Sequence, residues 1–372
     1  MQLNKKNNFS KGKKKILFLF LFVVIFLWLT LNGSLTPLMA NGADYVLRPI
    51  VGETNTIRIE SIVFTVVDRV HQILPATLPT LLNNSASSSS LQTNLNLHTI
   101  PAQTHLPLLQ NEGVWQPIFL AQFPKQEVMA QTIIRVDDQR PYAYVTLVKI
   151  DMNKVNIGTV AGIRQPGGPI GNPGDGKVPN AIKLDGKLLA AFDGGFQYRD
   201  GAYGMVVGQK VYVPLRPNLA TLFIDVSGKP TIRAYDGQTI PAQTAAIRQN
   251  GVLLVENGQI TSFTESGADN WGRTITNSIY TWRSGIGITT DGSLLFAVGP
   301  SLEPSTLALA LKAAGAINAM QLDVNPYWVR FVIFHPIGDG TYQSTSLLKE
   351  MQNGGYSYLY GYQKDFFYLY AK

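Results

Sequence analysis

QTIIRVDDQRPYAYVTLVKIDMNKVNIGTVAG, residues 131–162, decides the fold class. It holds three short runs of β-branched and aromatic residues, QTIIRVDD, YAYVTLVKID and KVNIGTVAG, broken by Asp, Asn and Pro. Such runs between turn-forming residues read as strands. The same texture returns in KVYVPL (210–215) and TLFIDV (221–226). After residue 113 one long stretch has helix character, LEPSTLALALKAAGAINAM (302–320), with Ser305 or Thr306 placed to cap its start and Gly315 its end. The expectation for 113–372 is an α+β domain built on a large, mostly antiparallel or mixed sheet with few helices.

Upstream the chain changes character three times. Residues 83–112 contain NNSASSSSLQTNLNLHTIPAQT, poor in charge and aromatics, and read as a flexible tether. Residues 41–82 contain IRIESIVFTVVDRVHQIL (57–74), where Ile59, Ile62, Val63, Val66, Val67, Val70 and Ile73 recur at three- and four-residue intervals. That spacing predicts an amphipathic stalk helix. Residues 1–40 begin with Lys5, Lys6, Lys11, Lys13, Lys14 and Lys15, then run without charge from Ile16 to Leu31. A basic tip before an apolar run is a membrane-targeting segment, and sixteen helical residues span roughly 24 Å against a hydrocarbon core of ~30 Å. An uncleaved single-pass anchor and a long signal peptide, leaving a secreted chain, both fit. Positive-inside bias places Asn41 onward on the extracytoplasmic side.

The formal charge of +7 is the work of those six lysines, which leave +1 elsewhere, so no basic face argues for a nucleic-acid partner. Without cysteine the chain has no disulfide, thiolate metal site or Cys nucleophile. Of four histidines only His335 lies in the 113–372 domain, in VIFHPIGDG, where it reads as structural. No P-loop and no helix-opening GxGxxG is present. Carboxylates, amides, hydroxyls and arginine remain, a set suited to glycosyl and phosphoryl substrates. No cofactor is expected; aspartates and backbone carbonyls could hold calcium, but no EF-hand spacing argues for it. The hexapeptide TIPAQT occurs at 99–104 and 239–244 without matching flanks and reads as a shared turn preference rather than a duplication.

Three segments stand out. In LLAAFDGGFQYRDGAYGMVVGQKVY (188–212) an apolar strand delivers Asp193 beside Gly194 and Gly195, whose backbone can approach a ligand closely. In YTWRSGIGITTDGSLLFAVG (280–299) Arg283 and Ser284 precede Gly285 and Gly287 in a hairpin-like pair of strands. The helix ending at Gly315 leads into INAMQLDVNPYWVRFVIF (317–334), with Asp323 near the end of an apolar strand. The order and spacing of these segments resemble the phosphodiester glycosidase domain, related to the enzyme that uncovers mannose 6-phosphate on lysosomal proteins. The family's Asn-Gly-Gly-Phe is similar to Asp193-Gly194-Gly195-Phe196, and its Arg-Thr/Ser-Ala-Val/Ile-Gly to Arg283-Ser284-Gly285-Ile286-Gly287. AAIRQNGVLLVENGQI (245–260) is similar to the stretch between them. Of the family's Asn-Leu-Asp-Gly-Gly-Gly-Ser-Ser the chain keeps Gln321-Leu322-Asp323, and Val324-Asn325-Pro326-Tyr327-Trp328 replaces the glycine and serine run. Pro326 has no N–H to donate there.

The resemblance implies hydrolysis of a sugar-phosphate diester or related glycosidic bond in an envelope or extracellular polymer. Asp193 and Asp323 are then the acid and base carboxylates, and Arg283 steadies developing negative charge. Gly194, Gly195 and Ser284 line the substrate, Gln321 or Asn325 orients the sugar, and Tyr327 and Trp328 form an aromatic platform under it. The altered third motif keeps an alternative open, a catalytically inactive glycan-binding or scaffold domain of the same fold.

Overall fold

In the computed structural model the residues described are 92–167, 174–238, 240–265, 280–351 and 355–372, with single positions and short pieces between 48 and 82. Strands are numbered along the chain. The largest sheet has eight, in the order Gln259–Ile260 (β14), Leu253–Glu256 (β13), Ala316–Val324 (β17), Thr281–Thr289 (β15), Leu294–Leu302 (β16), Tyr144–Ile150 (β5), Met129–Arg135 (β4) and Gln116–Pro117 (β2). A five-stranded sheet runs Thr341–Ser346 (β19), Phe331–Gly338 (β18), Leu188–Asp193 (β7), Phe366–Ala371 (β20) and Val155–Val160 (β6). Another five-stranded sheet runs Pro230–Ala234 (β11), Ala220–Asp225 (β10), Thr244–Asn250 (β12), Met205–Val207 (β8) and Lys210–Val213 (β9). Every pairing in these three sheets is antiparallel; the two-residue strands Gln92–Thr93 (β1) and Gln126–Glu127 (β3) pair in parallel. The described helices are Arg48–Val51 (α1), Asn180–Leu184 (α2), Pro304–Ala313 (α3) and Gly355–Tyr360 (α4). The mostly antiparallel architecture with few helices expected from the sequence is thus observed.

β4, β5 and β7 are buried along their whole length because both faces are covered. One face of the eight-stranded sheet contributes Ile133, Val148, Phe296, Met320 and Leu322 to a core shared with Phe192, Phe331, Phe367 and Leu369 of the β7 sheet. Phe192, Phe296 and Phe331 meet with ring centroids 4.9–5.8 Å apart. The opposite face packs Val145, Leu147, Leu295 and Ala297 against Leu307 and Leu311 of α3. Gly285 makes that approach possible: a Cβ there would stand 2.9 Å from the Met320 carbonyl and within 3.3 Å of Leu307 and Leu311. The N-cap is Glu303, two or three residues before the expected Ser305 or Thr306; the helix starts at Pro304, with Thr306 Oγ1 accepting from the Glu303 N–H at 3.0 Å, and Gly315 follows it at φ 94°.

The segment expected to be a flexible tether lies on the domain from Gln92 onward. Leu95 and Ile100 are buried, Lys149 donates to the Asn96 carbonyl (2.8 Å), and the Trp115 indole donates to that of His98 (3.0 Å). Sparse apolar residues in a polar run suffice to dock it. In the 57–74 stretch the described positions, among them Ile59, Ile62, Val66 and Ile73, are helical and these four are exposed. Asp68 is buried, accepting from Tyr142 (2.8 Å) and Arg140 (3.3 Å). The apolar run 16–31 lies outside the described residues, and among those described no helix is long and apolar enough to cross a membrane.

Candidate active site

β7 ends on Asp193, and the next two residues must be glycine for steric reasons. A Cβ on Gly194 would stand 2.1 Å from Asp365 Oδ2, and one on Gly195 2.7 Å from Arg248 Nη2. Their N–H groups are taken by the Asp365 carbonyl (3.2 Å) and carboxylate (3.1 Å). Asp365 is paired with Arg248 (2.8 Å), both without exposure. The remaining donors of Arg248 go to the carbonyls of Phe196, Tyr203 and Gln249. The two glycines therefore close onto an ion pair that locks the end of β7, and their amides are spent there.

The second carboxylate arrives through a bulge. Gly285 pairs with Gln321 and Arg283 with Val324, so Leu322 and Asp323 together oppose Ser284. A bulge re-aims the side chains around it, a device common beside active sites. The Ser284 hydroxyl donates to Asp193 Oδ2 (2.5 Å) and accepts from the Asp323 N–H (3.1 Å), which joins the two aspartates through one oxygen. Asp193 Oδ1 accepts from the Arg330 N–H (2.9 Å). Asp323 accepts from the Val324 N–H (2.9 Å) and forms an ion pair with Lys364. The Lys364 ammonium lies 4.7 Å from the centroid of the Trp328 ring.

Both carboxyls are nearly without exposure, at 2% and 3%, so burial opposes their ionisation. Burial, with repulsion from Asp323, pushes Asp193 up to about 8. Burial also raises Asp323, but attraction to Lys364 and its hydrogen bond hold the value to about 6. The repulsion falls on Asp193 because Asp323 ionises first and already carries its charge when Asp193 titrates. Near neutral pH the pair is one carboxylate and one carboxylic acid.

Arg283 is placed elsewhere. As the strand neighbour of Ser284 it projects from the opposite face of the sheet, toward the start of α3, where Gly285 meets Leu307. Its Nε donates to the Leu302 carbonyl (2.8 Å) and its Nη1 to Gln321 Oε1 (3.0 Å). Burial lowers it to about 10, with Glu303 acting in the opposite sense. Arg283 and Gln321 thus form a pair of their own on the helix-facing side. Asn325 adopts φ 78° and turns its Oδ1 onto the Tyr327 N–H (2.8 Å), forming the turn that carries Tyr327 and Trp328 over the site. Those rings stand edge to face at 4.5 Å.

Lys364, Asp365, Arg248 and Arg330 were not singled out by the sequence reading. The signal was there in IRQN and QKDFFYLY, where charges interrupt apolar strands and so fall where charge is buried only in company. A polar cleft lined by Gln92, Asn94, Gln126, Glu127, Asp151 and Lys154 lies at the β1–β3 ribbon and includes none of these residues. Among the described residues no group of three or more His, Asp or Glu stands together as metal ligands.

With the strand-end aspartates joined through Ser284, the comparison with protein families gives a match from α2 to the end of the Asp323 segment. Residues 180–323 match the phosphodiester glycosidase family. The phosphodiester glycosidase match takes in Asp193, Arg283, Ser284 and Asp323 and stops short of Arg330 and Lys364. Among solved structures, the zebrafish N-acetylglucosamine-1-phosphodiester alpha-N-acetylglucosaminidase catalytic domain, auto-inhibited by its pro-peptide, is 14% identical, with a TM-score of 0.41 over 69% of this chain and 88% of that one. A hypothetical protein from Synechocystis is 12% identical, with a TM-score of 0.34 over 66% of this chain and 63% of that one. No curated protein matches the chain.

Proposed function

We propose that the chain is a hydrolase of the phosphodiester glycosidase type that separates a sugar from a phosphate in an envelope or extracellular polymer. The observation that carries this is the buried pair of carboxyls, Asp193 and Asp323, joined through Ser284 and set apart by their surroundings: burial and repulsion from Asp323 push Asp193 up to about 8, whereas Lys364 holds Asp323 to about 6. Two carboxyl groups driven apart in this way are assigned as acid and base. Asp323 takes a proton from water as the water oxygen bonds to the anomeric carbon. The bond from that carbon to the phosphate oxygen breaks, and Asp193 gives its proton to that oxygen. The products are the free sugar and a phosphomonoester. Arg283, on the other face of the sheet, has no part in this step.

The six N-terminal lysines and the apolar run 16–31 support a membrane-directed chain whose domain works outside the cytoplasm, held by the anchor or released from it. One observation favours a glycan-binding relative without turnover: Tyr327 and Trp328, each 8% exposed, lie over the charged groups. On the hydrolase reading the turn 324–329 moves aside to admit substrate. The test is sugar release by the full chain from a panel of UDP-sugars and nitrophenyl glycosides. Turnover that Asp323→Asn abolishes supports the hydrolase; no turnover, with glycan binding weakened by Trp328→Ala, supports the binding module.

A further inference from the structure

Most buried arginines of the domain are well supplied with acceptors. Arg248 has Asp365 and three carbonyls, and Arg135 has both Glu112 oxygens and the Pro107 carbonyl. Arg330, 5% exposed, differs. Its Nε donates to the Tyr327 carbonyl at 3.3 Å, and its guanidinium carbon lies 4.9 Å from the Tyr362 ring centroid and 5.5 Å from that of Tyr327. Among the described residues its two terminal nitrogens meet no acceptor. A guanidinium carries five N–H donors and stays charged, so four are left over. The hydroxyls of Tyr358 and Tyr362 are also buried and without a partner among the described residues, and the two rings stand edge to face at 5.0 Å. The Arg330 backbone is bonded both ways to Asp193, N–H to Oδ1 (2.9 Å) and carbonyl to N–H (3.2 Å), and the Arg330 guanidinium and both tyrosine hydroxyls lie near enough to Asp193 to feel its charge.

We propose that Arg330, with the hydroxyls of Tyr358 and Tyr362, is the subsite that holds the phosphoryl oxygens of a sugar phosphodiester. It rests on the hydrolase reading for the identity of the ligand. A planar fork of N–H groups matches two phosphoryl oxygens, and phenolic hydroxyls can donate to the same group. Val324 to Trp328 offer no row of amides, since Pro326 has none and the N–H groups of Val324, Asn325, Tyr327 and Trp328 are bonded within the protein, so the positive charge two residues beyond that loop is the group left to meet an anion. All three residues lie outside the matched residues 180–323.

The experiment is calorimetric titration of the full chain and of Arg330→Gln, Arg330→Lys, Tyr358→Phe and Tyr362→Phe with inorganic phosphate, UDP-N-acetylglucosamine and free N-acetylglucosamine. Arg330→Gln is expected to weaken both phosphate-bearing ligands at least tenfold and leave the free sugar unchanged, Arg330→Lys to restore part of the loss, and each Tyr→Phe to weaken them severalfold. The Tyr→Phe variants keep their rings and lose only unpartnered hydroxyls, so their thermal midpoints are expected at or above that of the parent, which separates a binding effect from misfolding. Phosphate affinity equal in the parent and Arg330→Gln overturns the subsite, as does an ordered water alone on the guanidinium in a phosphate-soaked crystal. The hydrolase reading fails separately. Loss of phosphate binding in Arg330→Gln without turnover by the parent leaves the subsite standing, whereas turnover that needs Asp323 but ignores Arg330, in KM and in phosphate inhibition, removes the subsite alone.

Discussion

Asp193→Asn changes one buried group from ionisable to neutral, and the structure sets the size and sign of the result. Folding raises the Asp193 carboxyl from its ordinary 3.8 to about 8. The folded state therefore holds this proton more tightly than the unfolded chain does. That contribution to stability is complete below about pH 4 and is lost as pH rises toward 8. At ~1.4 kcal/mol per unit, a shift of about four units corresponds to roughly 5–6 kcal/mol across this window. Net stabilities of domains are typically about 5–15 kcal/mol, so the slope is large enough to see directly. Asparagine keeps the acceptor for the Arg330 N–H and cannot ionise. Urea denaturation followed by intrinsic fluorescence, from pH 4 to 9, is expected to show the variant gaining several kcal/mol on the parent between the two ends. Taking the difference between the proteins cancels the other titrations. Parallel curves, or a variant that loses ground at high pH, would refute the assignment of a buried, proton-bearing Asp193.

Turnover of a sugar phosphodiester is expected to follow a bell between limbs near pH 6 and 8, set by Asp323 and Asp193. Lys364→Met, by removing the cation that holds Asp323 down, should move the acid limb upward in initial-rate profiles; an unmoved limb would separate Lys364 from the base. Arg248→Met leaves the Asp365 carboxylate buried without its partner and is expected to cost about 3–5 kcal/mol in urea denaturation. A change under 1 kcal/mol would show that this pair does not lock the end of β7.

The strands were legible because their runs are short, β-branched and bounded by turn residues, and the α3 helix because a long run of helix-forming Ala, Leu and Lys lies between cap residues. Asp193 and Asp323 were legible as carboxylates at the ends of apolar strands. What the sequence reading could not place was set by register. One extra residue in β17 brings Asp323 opposite Ser284, while Arg283, adjacent to Ser284, points to the other face. Pairings across long separations supplied the rest: Lys364 and Asp365, just ahead of β20, reach residues more than forty and one hundred positions earlier, Asp323 and Arg248. The docking of 92–112 was missed because it depends on a few side chains, Leu95 and Ile100, inside a run whose composition is that of a linker.

In the proposed step water attacks the sugar carbon and not phosphorus. Hydrolysis of UDP-N-acetylglucosamine, or another sugar phosphodiester that the chain accepts, in water enriched with oxygen-18 tests it by mass analysis of the phosphate product. Release of a phosphate product without the heavy oxygen is expected, together with its loss in Asp323→Asn. Heavy oxygen in the phosphate product would place the cleavage at phosphorus and rule out attack at the sugar carbon.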